Sequence, residues 1–172
     1  PSATIVNARK KLLAAILEAS GHPEFGFNDP KFQKELGATV VAQYRAIIRN
    51  TGLYKPTNGA RWGFAPPKKI QDKGLSDVWQ TLQDFFNEPS DEPKSFVTLF
   101  ATLKQPPFGV RAGVLPILIA CAIRAFPLVG SMTCDGQYVA DIRPTTVEEI
   151  CKEPSRFALN VVAVQEDQRV YL

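Results

Sequence analysis

The chain has 172 residues, of which 45% are apolar and 22% charged, with a net charge of +3. That size suits one domain, or two small ones sharing an interface, and the balance excludes a disordered chain. The longest apolar run, 114–123, stops at Arg124, too short to span a bilayer.

In chain order, the first predicted element is an amphipathic helix over 7–20, with Leu12, Leu13, Ile16 and Leu17 on one face. Gly21, His22 and Pro23 end it. Asn28 or Asp29 can cap a second, short helix with Pro30 at its first position. A longer helix is expected over 38–50, burying Val40, Val41, Tyr44, Ile47 and Ile48 and stopping at Gly52. Asn58-Gly59, flanked by aromatic residues, predicts a β-hairpin over 53–64.

Pro66, Pro67 and the lysines after them form a connector. A helix over 75–87 turns Val78, Trp79, Leu82, Phe85 and Phe86 inward, and 88–94 is a loop rich in proline and acid. Ser95 can cap a helix carrying Phe96, Leu99, Phe100 and Leu103, which a sharp turn at 106–109 follows. The next helix, 114–126, is very apolar and tolerates Pro116 in its first turn. A second hairpin over 132–139 turns on Asp135-Gly136, a short helix covers 146–152, and a strand covers 157–164. Residues 169–172 are expected to pair with that strand.

Helix, turn, helix, hairpin thus occurs twice, over about 7–65 and 95–142, without likeness of sequence between the copies. This is the plan of a winged helix. The expected fold is helix-rich α+β, with two winged-helix-like units joined by a helix. The divisions are 1–70 (a basic unit), 71–94 (connecting helix and acidic loop) and 95–172 (the second unit with terminal strands). The competing arrangement is a single irregular α+β domain in which both hairpins join one sheet.

Charge separates the units. Residues 1–75 carry twelve cations against five acids, and the remainder carries eight against twelve. A basic half beside an acidic half suggests two surfaces with different tasks; otherwise it is a solvated, lysine-rich face. In the first unit the 38–50 helix is the one able to enter a major groove. Gln43, Arg45, Arg49 and Asn50 are its candidate outer residues, suited to base edges or phosphates. Lys55, Asn58 and Arg61 of the hairpin, with Lys68 and Lys69 beyond it, extend the nucleic-acid-binding surface. The structural alternative for Arg45 and Arg49 is pairing with acids or lying along the helix edge. In the second unit the equivalent helix is apolar on all sides, so it is a buried packing element without a polar reading face.

Trp62 and Phe64 beside Arg61 can stack on a ligand, but wing aromatics more often close the core beneath a hairpin. Phe108 is read as the plug of its turn. Gly109 and Gly113 have GxxxG spacing without the lysine of a phosphate-binding loop. Adjacent Glu148 and Glu149 diverge on a helix and cannot act as a facing acid–base pair. Three widely spaced cysteines, Cys121, Cys134 and Cys151, fit neither a disulfide framework nor a zinc module, and His22 is the only histidine. These counts point to a reducing, cytoplasmic setting, to no metal or cofactor, and away from an enzyme. No apolar signal segment opens the chain, and a start at Pro1 reads as a piece cut from a longer protein.

Several spaced stretches together resemble a known family: 8–13 (ARKKLL), 50–54 (NTGLY), 61–67 (RWGFAPP), 106–116 (PPFGVRAGVLP) and 135–139 (DGQYV). They resemble winged-helix regions within large P-loop ATPases of bacterial phage-defence systems, such as the BREX-type ATPases. The resemblance implies a non-catalytic region of a multidomain ATPase that contacts DNA or a partner subunit. No phosphate-binding loop lies in this chain, so the resemblance carries no catalytic residue onto it. The expected function is a non-enzymatic binding module that contacts nucleic acid, with double-stranded DNA as the leading partner and RNA left open, and no membrane contact. The alternative is protein–protein interaction or oligomerisation through the apolar and acidic second unit, with the parent ATPase or another protein as partner.

Overall fold

The computed structural model describes residues 3–18 and 21–164. Helix α1 (Ala3–Glu18) buries Leu12, Leu13, Ala15 and Ile16. A 3-10 turn follows at Pro23–Gly26. The Asp29 carboxylate accepts from the Lys31 amide at 2.9 Å, and Pro30 takes the first position of α2 (Pro30–Leu36). Gly37, at φ +83, makes the corner into α3 (Ala38–Tyr44).

The expected helix over 38–50 is present, but its last turn is wider than an α-helix. Residues Arg45–Arg49 form a π turn, in which the Asn50 amide donates to the Arg45 carbonyl at 2.8 Å. The Thr51 hydroxyl donates to the Ile47 carbonyl at 2.7 Å, and the Leu53 amide donates to the Ile48 carbonyl at 3.2 Å. These bonds occupy the carbonyls that the widened end leaves open. The hairpin pairs β1 (Tyr54–Pro56) with β2 (Trp62–Phe64), Tyr54 facing Phe64. Trp62 and Phe64 are half-buried and pack against the core.

Asp72 caps α4 (Lys73–Asn87), accepting from the Leu75 amide at 2.7 Å, so the helix begins two residues earlier than its apolar pattern. Trp79 on α4 donates its indole N–H to the Ala65 carbonyl at 3.0 Å, tying α4 to the end of the first hairpin. A short strand, β3 (Lys94–Ser95), precedes α5 (Phe96–Lys104). The sequence gives it no strand pattern, because two residues cannot show alternation. Ser95 caps α5. Helix α6 (Leu115–Ala125) is buried continuously from Leu115 to Ala122. Then come β4 (Gly130–Cys134), β5 (Gln137–Tyr138), α7 (Pro144–Lys152) and β6 (Phe157–Val161).

The second sheet has the order β3-β6-β4-β5 with antiparallel neighbours. The expected strand over 157–164 therefore ends at Val161 and pairs with β4 and β3; the expected partner, 169–172, lies outside the described residues. Gly130 sits where β4 presses on β6. A Cβ there would lie 1.8 Å from the Asn160 carbonyl oxygen, so only glycine fits.

The fold is helix-rich α+β, and the order helix, turn, helix, hairpin occurs twice among the described residues. The two hairpins belong to different sheets, so the arrangement with both in one sheet is not the one formed. The core is nevertheless continuous. Helix α1 packs on α3 and also on α6 and α7, and α4 packs on α6. No helix among the described residues is long and apolar enough to cross a membrane.

Candidate nucleic-acid interface

A helix lying on a protein surface exposes residues at spacings of three and four. On α3 and its π turn the exposed residues are Ala38, Thr39, Ala42, Arg45, Ala46, Arg49 and Asn50. They form one continuous stripe. The opposite stripe, Val40, Val41, Tyr44 and Ile48, is buried. The outward stripe has two arginines, an asparagine, a threonine and three alanines, and no acid. Its small residues let the helix backbone come close to a surface laid against it, while Arg45, Arg49 and Asn50 reach past them.

Three of the four expected helix residues, Arg45, Arg49 and Asn50, share this face. Gln43 does not: it is half-buried at the edge of the inward side. Ala38, Thr39, Ala42 and Ala46 belong to the face and were not among the expected residues, because a search for cations and amides passes over alanine and threonine. Their signal was the outward period of the same helix.

The other expected residues follow in chain order. Asn58 and Arg61 are exposed at the tip of the first hairpin, where the Thr57 amide donates to the Arg61 carbonyl at 2.9 Å. Lys55, on β1, is half-buried. Lys68 and Lys69 are exposed on a 3-10 turn, Pro67–Lys69. Just before that turn the Ala65 amide donates to the Leu53 carbonyl at 2.8 Å, closing the base of the first hairpin. Among the described residues no ion pair engages Arg45, Lys55, Arg61, Lys68 or Lys69.

Arg49 is different. Its Nε lies 3.2 Å from Oε1 of Glu24, with the two side chains 54% and 16% exposed. The pairing lies within the basic half, not across to the acidic one. Beneath it is Tyr44, whose ring stacks on Phe27 at 4.1 Å and whose buried hydroxyl has no hydrogen-bond partner among the described residues. Burial, and then the negative charge of Glu24, pushes the Tyr44 hydroxyl well above the usual tyrosine range.

A second feature joins distant parts of the chain. Arg9 on α1 donates from Nε and Nη2 to both carboxylate oxygens of Glu148 on α7, at 2.7 and 2.8 Å. The side chains are 16% and 18% exposed. The pair lies on the wall of a cleft of about 660 Å³ between α1, α7 and the turn before α6. The two residues stand 139 positions apart, so no local pattern could join them. The pair consumes Glu148, and the fork geometry marks it as a structural clasp.

The cysteines lack the setting of a nucleophile. Burial pushes the Cys151 thiol up to about 12 and the Cys121 thiol higher still, and Cys134 is also raised. Among the described residues no group of three or more His, Cys, Asp or Glu side chains is placed to hold a metal ion. The apolar residues of α6 are spent in the core, and Phe108 is half-buried against that core. Comparison with models of known families, with characterised proteins and with solved structures gives no match.

Proposed function

We propose that this protein is a non-enzymatic module that binds double-stranded DNA, with the outward stripe of α3 and its π turn entering the major groove. The observation that carries the reading is the acid-free face of Ala38, Thr39, Ala42, Arg45, Ala46, Arg49 and Asn50. A B-form major groove, about 12 Å wide, admits a helix; the deep, narrow groove of A-form RNA does not. Arg61, Lys68 and Lys69 then serve phosphates beside the groove, while Asn50 and Arg45 are placed for base edges.

Three free cysteines agree with a cytoplasmic setting. The resemblance of 106–116 to defence ATPases agrees with a non-catalytic part of a larger machine. Protein docking through the second unit draws no support from α6 or Phe108, which pack into the core; among the described residues its exposed large apolar side chains are Val97, Val129, Tyr138 and Val162.

The test is anisotropy of a labelled random duplex over a salt titration. Binding should weaken steeply with salt, and Arg45→Glu/Arg49→Glu should abolish it while the protein stays folded. Absence of binding at low salt, or equal binding by the folded double variant, would overturn the proposal.

A further inference from the structure

Glu24 is the acid that touches the exposed stripe of α3, and the chain holds it there firmly. Phe25 is buried and stacks face to face on Tyr54, with centroids 3.8 Å apart. Phe27 is buried against Tyr44. The Tyr54 hydroxyl accepts from the Gly21 amide at 2.9 Å and donates to the His22 carbonyl at 2.8 Å. The Phe27 amide donates to the Glu24 carbonyl at 2.9 Å. Pinned on both sides, Glu24 takes φ +47 and Phe25 φ +51, a conformation side chains of this kind rarely adopt. The result is a fixed carboxylate set against one arginine of a face that otherwise has no acid.

Resting on the DNA-binding reading, we propose that Glu24 is an intramolecular stand-in for phosphate, fixed beside Arg49 so that a DNA phosphate reaches that arginine only against a like charge. Arg49 Nε faces Glu24 Oε1 at 3.2 Å while the arginine side chain stays 54% exposed, so the guanidinium keeps donor capacity toward solvent. A phosphate approaching those donors meets the carboxylate's negative charge. Loosely placed, non-specific duplex pays that repulsion without forming the full set of contacts, whereas a well-seated duplex recovers it through the groove. Glu24 therefore restrains non-specific binding, and it does so by rigid placement rather than by closing a lid.

The experiment measures random-duplex affinity and its salt slope for the full chain and for Glu24→Gln. Losing the carboxylate should tighten binding about fivefold at low salt, as expected for removing one nearby like charge. The slope of log K against log salt should steepen by up to about 0.9, one further phosphate contact. The gain should vanish in an Arg49→Ala background. Glu24→Gly, which suits the positive φ, gives the same gain if the carboxylate is what matters, and thermal melting checks that both variants fold. Unchanged or weaker binding by folded Glu24→Gln, or an equal gain without Arg49, would overturn this inference and leave DNA binding standing. Failure of both the wild type and Glu24→Gln to bind would overturn both.

Discussion

Tyr44 shows how one residue can serve packing and still carry a local cost. Its ring packs in the aromatic cluster with Phe25 and Phe27, yet its hydroxyl is buried without a partner among the described residues. Removing that oxygen deletes a desolvated polar group and keeps the ring, so Tyr44→Phe should raise stability by about 1 kcal/mol. A higher urea midpoint at constant slope checks this; a lower midpoint contradicts it. The cysteines set the behaviour at alkaline pH. Cys121 and Cys151 are held protonated in the folded chain, Cys151 up to about 12, whereas an unfolded thiol ionises near 9. Between those values the unfolded chain binds fewer protons, so stability falls as pH rises through that window and is unaffected by these thiols below it. Urea midpoints measured from about pH 8 to about pH 11 should fall, and fall less steeply in Cys151→Ala. The same slope in both proteins would show that Cys151 is not held protonated.

At the scale of the element, α3 joins the core to the proposed interface by its two stripes. If its small residues admit the helix into the groove, bulk should exclude it. Ala42→Phe removes no charge and faces solvent, so stability should change by no more than about 0.5 kcal/mol. Duplex affinity should nevertheless fall at least about tenfold, because the helix can no longer approach the base edges. Unchanged affinity would mean that this stripe does not enter the groove. Much of this element was legible in the sequence. The spacing of Val40, Val41, Tyr44 and Ile48 set its inward side, and Gly52 marked its end. The π turn was not, because it changes the hydrogen-bond partner by one residue without changing the apolar pattern. Nor was the Glu24–Arg49 contact, which depends on where Phe25 and Phe27 anchor a loop 25 residues earlier in the chain.

For the whole molecule, the order of elements could be read from local signals, and their assembly could not. Asn58-Gly59 and Asp135-Gly136 announced both hairpins, and the apolar run at 114–123 announced a buried helix. That helix is covered by α4, α7 and, from the other end of the chain, α1, which the Arg9–Glu148 clasp joins to α7. The placement of β6 between β3 and β4 depends likewise on distant pairing and on the bare backbone of Gly130. The proposed function rests on this assembly: α1 packs on α3 as well as on α6 and α7, so the face of α3 that carries Arg45 and Arg49 is backed by the common core. The most direct measurement is a backbone amide NMR titration of the 172-residue chain with a short DNA duplex. Docking of α3 in the groove predicts shifts concentrated at Thr39, Ala42, Arg45, Ala46, Arg49 and Asn50, extending to Arg61, Lys68 and Lys69. Shifts confined to the cleft between α1 and α7, or no shifts at low salt, would contradict it.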